Sequence, residues 1–70
     1  MKNKFIIFWV NGDSYFVGSD FQKAYFSKEE NPLLFNTEEQ AIYRLNEESS
    51  LFPMQFVNQI FQIQKVIKFN

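Results

Sequence analysis

At 70 residues the chain has room for one hydrophobic core and no second. It contains no Cys and no His, which excludes disulfides, thiolate metal sites and the usual general base near neutral pH, so stability has to come from packing 10 Phe, 3 Tyr and 1 Trp. With 7 basic and 8 acidic side chains, a net charge of −1 and a pI of about 5.2, it lacks the strong field that a nucleic-acid binder carries.

Met1-Lys2-Asn3-Lys4 ahead of Phe5-Ile6-Ile7-Phe8-Trp9-Val10 imitates a signal peptide, but the apolar run stops at Asn11-Gly12-Asp13. No stretch approaches the roughly 20 apolar residues of a membrane helix, and the expected setting is the cytoplasm of a bacterial host cell, with no membrane partner. Phe5 to Val10 and Ser14-Tyr15-Phe16-Val17 are β-prone runs around Asn11-Gly12, which predicts a hairpin closed by a type I′ turn with positive φ at both turn residues. Gly18-Ser19-Asp20 then breaks the second strand, and Phe21 to Ser27, centred on Ala24-Tyr25-Phe26, is read as a short third strand or an ordered loop. Ser27 to Pro32 is a polar connection.

Thr37-Glu38-Glu39-Gln40 has the form of a capping box, in which the Thr37 hydroxyl and the Gln40 side chain each bond the other's backbone N–H. The helix it starts has Ala41, Ile42 and Leu45 as its apolar stripe and Phe35 packed at its start, and it should end near Ser49 or Ser50. Leu51-Phe52-Pro53-Met54 is expected to pack beneath the helix end. Gln59 to Phe69 alternates as a strand, with Phe61, Ile63, Ile67 and Phe69 on one face. The fold class is therefore α+β: a three- to four-stranded antiparallel sheet with one helix on one face, in the order β-β-(β)-α-β, as a single domain over residues 1–70.

The first strand is apolar on both sides, with Phe5, Ile7 and Trp9 on one and Ile6, Phe8 and Val10 on the other. One helix covers one face. The second requires the chain's own loops, a second copy in a homodimer, or a partner macromolecule.

No catalytic set of nucleophile, base and orienting group can be assembled, so the chain is read as a non-enzyme with no cofactor and no metal. The acidic doublets Glu29-Glu30, Glu38-Glu39 and Glu47-Glu48 are the remaining chemistry, and two of them project to opposite sides of one helix rather than forming an acid/base pair. Displayed along an edge, they could imitate phosphates for a basic groove. Lys2, Lys4, Lys65 and Lys68 would gather if the first and last strands are neighbours, yet one Arg and the absence of an aromatic stacking motif weigh against nucleic acid. Lys65 also suits the role of a charge that blocks aggregation at a sheet edge.

Leu33-Leu34-Phe35-Asn36-Thr37-Glu38-Glu39-Gln40-Ala41, preceded by the aromatic hairpin, resembles a group of small uncharacterised proteins encoded by phages and mobile elements of low-GC Gram-positive bacteria, over roughly residues 5 to 45. A preference for Lys over Arg, with abundant Phe, Ile and Asn, fits the AT-rich coding of such genomes. The resemblance implies a protein that binds a host or defence protein and blocks it, and anti-CRISPR proteins are similar in size and in lacking catalytic residues. The residues expected to carry such binding are the aromatics Trp9, Tyr15, Tyr25 and Phe26, rimmed by Glu29, Glu30, Glu47 and Glu48. A homodimeric accessory protein is the rival reading.

Overall fold

The computed structural model describes residues 2–68, so Phe69, assigned to the last strand from sequence, lies outside the described residues. Its strands β1 (Lys2–Trp9), β2 (Ser14–Ser19), β3 (Ala24–Ser27) and β4 (Phe61–Lys68) form one antiparallel sheet in the order β3-β2-β1-β4. Between β3 and β4 come α1 (Glu38–Leu51) and the short α2 (Pro53–Phe56). The expected α+β architecture is present, and the 21–27 segment does pair into the sheet, through its second half.

The hairpin forms with a different turn. Trp9 pairs with Ser14, leaving a four-residue loop, Val10–Asp13, closed by the Asp13 N–H donating to the Val10 carbonyl at 3.2 Å. The residue with positive φ is Asp13, at 50°, so Gly12 is required for space and not for its dihedral angles. Asn11 uses its side chain to join strands, its Oδ1 accepting from the Ile60 N–H at 2.7 Å.

Gly18 does not end β2. At φ 138° it makes a bulge between Phe16 and Gly18, and β2 continues to Ser19. There β1 and β2 part, and residues 33–35 fill the gap: Leu33 N–H donates to Phe16 O at 3.0 Å, and Phe5 and Phe35 exchange backbone hydrogen bonds of 2.9 and 2.8 Å. Because β3 lies outside β2 and this segment lies inside it, residues 28–32 carry the chain across β2.

Thr37 caps α1 as expected, its Oγ1 accepting from Gln40 N–H at 3.1 Å. The reciprocal bond falls one residue earlier, from Asn36 N–H to Gln40 Oε1 at 3.1 Å. The helix runs past Ser49 and Ser50 to Leu51, and Pro53 starts α2 in the position where its missing N–H costs nothing. The connector read from sequence thus spans the end of α1, the non-helical Phe52 and the start of α2, and its side chains divide: Phe52 packs against the core, whereas Leu51 and Met54 face solvent. The inward stripe of α1 is the buried Ala41 and Glu48 with the half-buried Leu45, while Ile42 is exposed.

Ile7, Phe16, Ala24, Ala41 and Phe56 form the core, so both helices lie on the face of Phe5, Ile7 and Phe16. On this face Phe26 is the hub of an aromatic cluster, with ring centroids 5.1 Å from Trp9, 5.7 Å from Phe16, 6.1 Å from Phe56 and 5.9 Å from Phe61. On the other face Ile6 is buried, Phe8, Tyr15, Val17 and Val66 are half-buried, and Val10 and Ile60 are exposed, so this face is only partly shielded within the chain. Among the described residues no helix is long and apolar enough to cross a membrane.

Candidate partner-binding surface

The eight residues singled out from sequence do not come together. Trp9 and Phe26 belong to the internal aromatic cluster, and the Trp9 indole is fixed by donating from Nε1 to Gln59 Oε1 at 2.8 Å. Tyr15 lies on the opposite face against Phe8, with ring centroids 5.0 Å apart. Tyr25 is at the β3 edge, where its hydroxyl donates to Asp20 Oδ2 at 2.6 Å and the Lys23 ammonium stands 5.1 Å from its ring. Asp20 Oδ1 also accepts from the backbone N–H groups of Gln22 and Lys23, at 2.8 and 3.0 Å. The Tyr25 bond, then these backbone donors, hold the Asp20 carboxyl below its ordinary value of 3.8, and the same hydroxyl bond raises the Tyr25 phenol above 10.0.

The acidic residues separate as sharply. Glu29 and Glu30 are exposed in a turn whose N–H groups both donate to Ser27 Oγ, at 3.1 and 3.0 Å. Glu47 is exposed on the outer side of α1. Glu48, expected on a solvated rim, is instead 3% exposed beneath the helix, where its Oε2 accepts from Arg44 Nε and Ser19 Oγ, both at 2.8 Å. One turn separates Arg44 from Glu48, so the helix itself supplies the counter-charge that makes this burial tolerable. Arg44 in turn lies over the Phe16 ring at 5.3 Å. This pair, with Ser19, anchors α1 to β2; the buried Glu48 is not available to a partner, whereas Arg44 stays one-third exposed and lines a groove on the outer side of α1.

The surface that does assemble runs along the outer side of the helices. Three shallow grooves follow one another: the first lined by Phe35, Glu39, Tyr43 and Glu47, the second by Tyr43, Glu47, Ser50 and Leu51, the third by Leu51, Pro53, Met54 and Lys23. Shared residues at each junction make them one track. Its apolar side chains include the most exposed of the helices, with Tyr43 at 66%, Leu51 at 67% and Met54 at 87%; Phe21, next in sequence to the groove residue Gln22, is 90% exposed. Its charge is mixed, with Glu39 and Glu47 beside Arg44 in the first groove and Lys23 in the third.

Of the sequence-predicted residues the track contains Glu47 alone. Tyr43, Leu51, Met54 and Phe21 were missed, although Glu39, Tyr43, Glu47 and Leu51 follow at intervals of four and so share one helical stripe. Among the described residues no acidic cluster is gathered to hold a metal ion. No protein-family model matches this chain, and neither does any curated protein or solved structure compared with it.

Proposed function

We propose that the chain is a non-enzymatic protein-binding module that acts by occupying the surface of another protein, as an inhibitor of a host or defence protein does. The observation that carries this reading is the track on α1 and α2, where three large apolar side chains, Tyr43, Leu51 and Met54, stay in water although the core beneath is aromatic. Exposed apolar anchors set among charged side chains of both signs, Glu39, Arg44, Glu47 and Lys23, are what a protein-binding surface with a polar rim requires. A standard interface takes about 800 Å² per partner, about a sixth of this chain's 5011 Å², which the outer side of the two helices can supply.

The test is affinity capture from a bacterial host lysate with the wild-type chain, Tyr43→Ala, Leu51→Ala and Tyr15→Ala. A captured protein lost with Tyr43→Ala and Leu51→Ala, each weakening binding by about 2 kcal/mol, but kept with Tyr15→Ala, supports the helix track. Because Tyr43 and Leu51 are exposed, these variants should keep stability within about 0.5 kcal/mol. Capture insensitive to both helix variants, or a chain whose solution mass doubles through Tyr43 and Leu51, would replace this reading with another surface or with a homodimer.

A further inference from the structure

We propose that the outer edge of β4 accepts an extended acidic segment of a partner protein as an added strand, independently of the helix track. The backbone makes the edge available. Ile60 directs both its polar groups toward β1, donating to Asn11 Oδ1 and accepting from Val10 N–H at 2.9 Å. Alternation along an antiparallel strand then turns Gln62, Gln64 and Val66 toward β1, and the N–H and C=O groups of Phe61, Ile63, Lys65 and Ile67 outward. The sheet ends at β4, so this row has no strand beside it among the described residues.

At two other places the chain closes open backbone. At the opposite edge the Gln55 side chain takes the place of a neighbouring strand, accepting from Ala24 N–H at 2.8 Å and donating to Ala24 O at 3.0 Å. Residues 33–35 fill the gap between β1 and β2. The β4 edge is also longer, eight residues against four in β3.

Charge selects the occupant. Residues 49–70 contain no Asp or Glu, and Lys65 is exposed on the same face as Ile63 and Ile67. Pairing with a second copy would set two lysine-bearing edges against each other, whereas a carboxylate opposite Lys65 gives a favourable cross-strand pair. The same lysine therefore resists self-pairing and admits an acidic strand. Ile67, 55% exposed at the edge, calls for an apolar residue two places from that carboxylate. The pattern that fits is apolar, any, acidic, any, apolar. Alternating backbone donors and acceptors match a peptide and not a nucleic-acid strand.

The experiment titrates the full chain with the blocked peptide acetyl-Thr-Val-Thr-Glu-Thr-Val-Thr-amide, and with the same peptide carrying Lys in place of Glu, while amide signals are followed by NMR. The expected result is shifts and slowed hydrogen exchange at Phe61, Ile63, Lys65 and Ile67 with the Glu peptide, and binding about tenfold weaker for the Lys peptide. Lys65→Glu should invert that preference, and its exposed position lets the variant fold. Equal response to both peptides, or shifts confined to α1, would overturn the proposal. So would the same amides already protected in a chain of doubled mass, which would assign the edge to a second copy. Shifts of these amides with a single-stranded oligonucleotide but not with the Glu peptide would overturn it as well.

Discussion

Gly12 lacks a side chain because the indole of Trp9 lies where one would begin: a Cβ there would meet Trp9 Cε3 and Cζ3 at 2.2 Å. Gly12→Ala must push the indole aside, disturbing its bond to Gln59 and its contact with Phe26. The expected loss is about 1–3 kcal/mol in urea unfolding, with a shift in Trp fluorescence. Unchanged stability and fluorescence would mean that the indole does not rest on Gly12. Glycine at this position was legible in the sequence as a turn residue. Its physical reason was not, because the constraint comes from a ring folded over the turn and not from the local dihedral angles.

At the scale of an element, the turn between β2 and β3 is organised by one carboxylate. Asp20 receives the Tyr25 hydroxyl and two backbone N–H groups, and its acidity is increased accordingly. A depressed value means that Asp20 contributes stability above its unfolded value of 3.8 and loses it as pH falls through the lower folded-state value. The raised Tyr25 phenol has the opposite sign: its contribution is present below 10.0 and is lost as pH rises through the higher folded-state value. Both groups are at the surface, so the expected outcome is local opening, seen in NMR titration as concerted acid-range shifts of the Gln22 and Lys23 amides and absent in Asp20→Asn. Titration of those amides in Asp20→Asn at the same pH would assign the transition to another group.

At the scale of the whole molecule, a chain of 70 residues is expected to hold about 4–10 kcal/mol of stability, and much of its burial is concentrated in the aromatic cluster that joins both helices to the sheet. Phe56, stacked on Phe61 at 5.0 Å, links α2 to β4, so Phe56→Ala should cost about 3–5 kcal/mol. Helix content by circular dichroism and Trp9 fluorescence should then fall in one coincident transition. A helix that melts before the indole environment changes would show two cooperative units instead. What the sequence determined by itself is the class of fold, the hairpin, the Thr37 cap and the final strand, because alternation, turn residues and capping act over a few neighbouring residues. What only the tertiary structure decided is which face each strongly apolar or charged residue meets. Glu48 is buried because Arg44 and Ser19 reach it, Trp9 and Phe26 are half-buried because both helices pack on their face, and Tyr43, Leu51 and Met54 are exposed because no other part of the described chain lies over the outer side of those helices.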